Sequence, residues 1–128
     1  MSISIYSTAK RRSAVDATEQ AAVSAIVSRY SVDDKIERLL ATGQGLNWES
    51  FHFTLNAESA GLFRKATVFS GSTKLPDNEE DALWIGLQHW CACLSEIRAA
   101  LRGCDWNVAV EDHALHWDAS RQAYDPSR

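Results

Sequence analysis

The chain has 128 residues, 45% of them apolar and 23% charged, with a formal net charge of −4. That length suits one domain able to bury a substantial core, and the composition excludes disorder along most of it. Three cysteines, Cys91, Cys93 and Cys104, are too few and odd in number for a disulfide-stapled secreted scaffold, so they read as reduced thiols.

The opening stretch "MSISIYSTAKRRS" lacks the basic start and apolar run of a signal peptide, and no segment has the apolar length of a membrane span. The expectation is a soluble, cytoplasmic protein with no membrane partner. Charge is distributed unevenly. Residues 1–74 carry nine Lys/Arg against seven Asp/Glu, whereas residues 75–128 carry four against ten. A nucleic-acid binder needs a basic face for the phosphates, and the short run Lys10-Arg11-Arg12 does not supply one. Direct nucleic-acid binding is therefore disfavoured, and the acidic half suits either a cationic partner or a solvated surface.

In chain order, Ile3 and Ile5 alternate with polar residues, the period of a short half-buried strand. Asp16-Ala-Thr-Glu19 has the form of a capping box and opens a helix whose inner stripe is Ala22, Val23, Ile26, Val27 and Tyr30. Ser31-Val-Asp-Asp34 starts a second short helix with Ile36, Leu39 and Leu40 facing inward, ending at Gly43 in the left-handed conformation. The loop "GQGLN" lacks the Lys-Ser/Thr partner of a phosphate-binding loop. Phe51, Phe53 and Leu55 alternate in a second strand, and Asn56 to Gly61 reads as a turn. Leu62 to Ser70 forms a third strand centred on Ala66–Ser70, and Gly71 to Asn78 connects it to a long helix. Asp77 is the expected N-cap, with Glu79, Glu80 and Asp81 in the first turn complementing the helix dipole. The helix stops near Gly103. Trp106, Val108 and Val110 alternate in a fourth strand, and a last strand around Leu115 to Trp117 precedes a polar tail.

The stretch "EDALWIGLQHWCACLSEIRAAL" concentrates two tryptophans, a histidine and two cysteines. Leu83, Leu87, Trp90, Leu94, Ile97 and Leu101 recur at alternating spacings of four and three, which is one helical face, with Trp84 and Cys91 widening it. Burying its five aliphatic side chains stabilises by roughly 10 kcal/mol before ordering entropy is subtracted, enough to explain an apolar helix. His89 and Cys93 share a face, but a closed metal site needs four ligands. The remaining candidates, Cys104, His113 and His116, lack C-x-x-C or H-E-x-x-H spacing. The reading is core helix, with no metal, no cofactor and no catalytic residue assigned. In "EDHALHWD" (Glu111 to Asp118), His113 and His116 stand among carboxylates able to do acid/base work if they lined a cleft, which keeps a small enzyme or ligand-binding module as the alternative.

Asp77, Glu79, Glu80 and Asp81 hold four carboxylates within five positions, more than a helix start needs, and Glu111, Asp112 and Asp118 add to them. If these converge near an exposed aromatic such as Trp117, they form a surface that draws in and anchors a basic protein. "TKLPDNEEDALWIGLQHWCACLSEIRAAL", "DWNVAVEDH" and "QAYDPSR" are similar to small bacterial proteins. In size, acidity and motif-free α+β pattern the chain resembles the immunity proteins of contact-dependent inhibition and other polymorphic toxin systems. That resemblance implies a protein that occludes a cognate toxin domain, often a basic nuclease; the group shares no motif, so it assigns no residue. The expected fold is one α+β domain of order β-α-α-β-β-α-β-β, with a mainly antiparallel sheet. Without the short helix and last strand, that order is the split βαβ, ferredoxin-like core.

Overall fold

The computed structural model describes residues 2–56 and 65–127. The described chain is α+β, ordered β1 (Ser4–Arg11), α1 (Ala17–Arg29), α2 (Asp33–Thr42), β2 (His52–Leu55), β3 (Ala66–Lys74), α3 (Ala82–Ala100), β4 (Asp105–Val110), β5 (His113–Ala114), β6 (His116–Asp118) and β7 (Ala123–Asp125). Five strands form an antiparallel sheet in the order β2-β3-β1-β4-β5, and β6 and β7 pair separately. With α1 and α3 packed on the sheet, the order of β1 to β4 is that of the split βαβ, ferredoxin-like unit. No helix among the described residues is long and apolar enough to cross a membrane.

β1 lies at the centre. Ile5, Ser7, Ala9 and Arg11 are buried while Tyr6 and Lys10 face out, so the alternation begun by the isoleucines continues to the strand's end. That continuation carries Arg11 inside. Its guanidinium donates to both Glu19 carboxylate oxygens (2.8 and 2.6 Å) and to the carbonyls of Ser13, Ala14 and Arg102. All five N–H groups are thus satisfied, as burial of a charge requires. Glu19 also closes the expected capping box: its backbone N–H donates to Asp16 (2.7 Å) and its carboxylate accepts from the Asp16 N–H (3.1 Å). The Glu19 carboxylate therefore starts α1 and holds Arg11, whose guanidinium ties the end of β1 to the chain leaving α3.

Gly71 faces Ser7 across the sheet because Phe51 occupies the space where a side chain would go; a Cβ there would lie 2.6 Å from the ring. The ring stacks between Phe69 and Trp90 at centroid distances of 6.5 and 5.3 Å, joining sheet to helix. On α3, Trp90, Cys93, Leu94, Ile97 and Leu101 are all buried. The C-terminal hairpin is held on the same helix: the Tyr124 N–H donates to Ser95 Oγ (3.0 Å), and Arg98 lies 4.0 Å from the Trp117 ring centroid while donating to the Tyr124 hydroxyl (3.1 Å).

Several expectations need correction. Gly71 to Lys74 belongs to β3 rather than to a connection. The expected tail instead contains β7, with Tyr124 buried, a three-residue strand too short to show a period. Leu40 does not face inward; it is 81% exposed, since adjacent helical residues lie about 100° apart and the half-buried positions are Ile36 and Leu39. Asp77 is not the N-cap of α3. Asp81 is, at φ 65 and without a side-chain cap hydrogen bond, because the Asp77 carboxylate is taken by Asn47 Nδ2 (2.8 Å) and Lys74 (3.5 Å). Most of the expected turn at 56–61, and the start of the third strand at 62–64, lie outside the described residues.

A candidate interaction surface at the entry to α3

Three strands end where α3 begins. The Leu75 N–H donates to the Ile3 carbonyl (2.8 Å) just beyond the β1–β3 ladder, and the Glu111 N–H donates to the Ser4 carbonyl (3.0 Å) just beyond the β1–β4 ladder. Residues 3, 75 and 111 are therefore neighbours at one edge. From this edge the chain enters α3 through Pro76 and the acidic run. Gly86 allows the helix to lie against Pro76: a Cβ at that glycine would sit 2.4 Å from the proline Cδ.

The result is an apolar hollow of about 310 Å³ lined by Ile3, Leu75, Leu83, Trp84, Leu87 and Val110. Leu83 and Trp84 do not belong to the core stripe as their spacing predicts; they are 38% and 42% exposed, and Ile85 beside them is 43% exposed. The reason is geometric: Ile3 precedes β1, Leu75 follows β3 and Val110 ends β4, so the first turn of α3 overhangs a sheet that has run out. A sequence signal for this existed. Four consecutive apolar residues, Ala82 to Ile85, cover the whole circumference of a helix, and no single face can bury them all.

The acids divide into three groups. Glu79, Glu80 and Asp81 precede the overhanging turn, and Asp112 sits in the two-residue loop between β4 and β5; all four are exposed, and among the described residues none joins a salt bridge. Asp77 and Glu111 lie at the same end but are partly engaged. Hydrogen bonds from Asn47, with help from Lys74, hold the Asp77 carboxyl below its ordinary range, and Glu111 accepts from the Ser4 N–H (2.8 Å) while its own backbone takes a left-handed φ of 53. Asp118 and Trp117 lie elsewhere. They belong to the β6–β7 hairpin over Arg98, sixteen positions into α3 from Ala82, or roughly 24 Å along the helix. Asp118 accepts from the Ser120 hydroxyl (2.7 Å) and from the N–H groups of Ser120 and Arg121, which hold its carboxyl low. Six of the seven expected acids thus gather at one end, and the aromatic beside them is Trp84 rather than Trp117.

The chemistry-bearing residues of the long helix are built into packing. Burial pushes the Cys91 and Cys93 thiols up to about 12, leaving them protonated and unreactive near neutrality. His89 stands edge-on to Tyr30, Trp48 and Trp90, with Nε2 2.8 Å from the Tyr30 carbonyl, a partner that only a protonated ring nitrogen satisfies. Burial holds its pKa below the ordinary value, so the ring is neutral. Among the described residues no three His, Cys, Asp or Glu side chains gather as a metal site requires. His113 and His116 are both exposed and lie on strands of different sheets. Searched against family models, curated proteins and solved structures, the chain matches none of them.

Proposed function

We propose that this chain is a binding protein that occludes a cationic protein partner, in the manner of the toxin-immunity proteins it resembles. The observation that carries the reading is the gathering of Glu79, Glu80, Asp81 and Asp112, with no salt bridge among the described residues, around an apolar hollow walled by Leu83 and Trp84. The two components have separate roles. Unpaired carboxylates at the rim raise the rate of encounter with a basic surface and exclude acidic ones. A half-exposed tryptophan over an apolar hollow supplies the large desolvated contact that slows dissociation. Trp84 costs little to immobilise, because it stands on a helix already fixed by its buried second half.

The test is neutralisation in cells. The chain is co-expressed with the product of the reading frame immediately upstream of its own, and survival is scored beside calorimetric binding of the purified pair. Rescue, with tight one-to-one binding weakened at least about tenfold in Trp84→Ala, supports the reading. Absence of both rescue and binding removes it.

A further inference from the structure

The opposite flank of the α3 entry carries a second hollow, of about 440 Å³, whose lining includes Lys35 and Arg38 of α2, Gly45 and Leu46 of the following loop, Trp48, and Ile85 of α3. No acid lines it. Elsewhere among the described residues Arg11, Arg29, Lys65 and Lys74 pair with carboxylates, whereas Lys10, Arg12, Arg98, Arg102 and Arg121 join no salt bridge. Lys35 and Arg38 stand three apart on one helical face, and among the described residues neither joins a salt bridge. The Lys35 ammonium instead sits 6.0 Å from the centroid of Trp48, which is itself buried. The wall is preformed, because the Gly45 carbonyl accepts from Asn78 Nδ2 (3.0 Å) and the Asn47 side chain is bonded to Asp77.

We infer that this hollow binds a small amphipathic anion, its carboxylate or sulfonate between Lys35 and Arg38 and its apolar body against Leu46, Trp48 and Ile85. Charge and lining agree on that chemistry. Two uncompensated cations beside apolar walls favour a negative head joined to an apolar tail, and the volume falls within the range of small-ligand sites. The proposal is independent of the protein-binding reading, since the two hollows are distinct.

The experiment is a titration of the full chain with octanoate, followed by amide and indole chemical shifts, with octan-1-ol and octylammonium as chain-matched controls. Saturable one-site shifts are expected at Lys35, Arg38, Leu46, Ile85 and the Trp48 indole, with octanoate bound about tenfold more tightly than either control. Lys35→Glu with Arg38→Glu should weaken octanoate by about tenfold and leave octan-1-ol unchanged. Gln44→Glu, at a further lining residue, places a negative charge there without shortening the apolar stem and should weaken it in the same direction. Trp84→Ala should leave octanoate binding as it was. Equal binding of the three probes, shifts centred on Leu83 and Leu87, or indifference to both charge changes would overturn the assignment.

Discussion

The two ends of α3 follow one sequence rule and meet different fates. From Trp90 to Leu101 the alternating four-three spacing leads into the interior, and Trp90, Leu94, Ile97 and Leu101 are each at most 1% exposed. Seven residues earlier the same spacing produces Leu83, which stands at the rim of an open hollow beside an exposed Trp84. Spacing defines a face; whether that face is covered depends on what lies opposite. Opposite the second half lie the sheet and α1, and opposite the first turn lie only the ends of three strands. The difference separates scaffold from candidate surface within one helix, and substitutions in the two ends should therefore fail in different assays.

The largest effect is expected at the clamp on which the buried half rests. Arg11→Ala leaves Glu19 and three carbonyls without their donor, and removing one partner of a buried ion pair costs about 3–5 kcal/mol, readable in a urea melt. The pair also sets an acid dependence. Arg11 holds the Glu19 carboxyl below its ordinary value of 4.5, so its contribution is complete above that value and is lost as the pH falls through the lower folded-state value. Melts taken between about pH 7 and about pH 3 should show a steeper acid loss for the natural chain than for Glu19→Gln.

Leu94→Ala empties a site that is fully buried in the well-covered half and should cost about 2–5 kcal/mol. A loss too small for a denaturant melt to resolve would mean that this half is not the packed one. Gly86→Ala probes the junction. Its Cβ would fall 2.4 Å from Pro76 Cδ, so helix and proline must separate, at about 1–3 kcal/mol and with shifts concentrated at the first hollow.

Much of this was legible in the chain, and the parts that were not share a cause. The capping box at Asp16 and Glu19, the left-handed Gly43 and the alternation of Phe53 and Leu55 are local signals, written within four or five residues. The mainly antiparallel sheet and the split βαβ order of elements were legible, but the pairing order was not, because nothing local in the chain says that β1 lies between β3 and β4. Arg11 read as part of a basic run because its partners, Glu19 and the Arg102 carbonyl, are eight and ninety-one positions away. Asp77 read as a cap because nothing nearby in sequence shows that Asn47 takes its carboxylate. The acidic site was legible as composition, but its convergence rests on the ends of β1, β3 and β4 meeting, which is a tertiary fact. Trp117 was misplaced for the same reason: its cover, Arg98, lies on another element.

The smallest effect on folding, and the most informative, belongs to Trp84→Ala. The side chain is 42% exposed on a helix anchored further along, so the change should cost about 1 kcal/mol, well short of Leu94→Ala. If the overhanging turn is the contact surface, the same change should cost a partner complex about 2 kcal/mol or more, chiefly as faster dissociation. Glu79→Lys, Glu80→Lys and Asp81→Lys together should also fold normally, but should act on the association rate and flatten its dependence on salt. The two variants therefore divide the surface into anchor and guide. A tryptophan change that destabilises the chain as much as Leu94→Ala would erase the distinction between the two ends of α3, and with it the reason for placing a partner there.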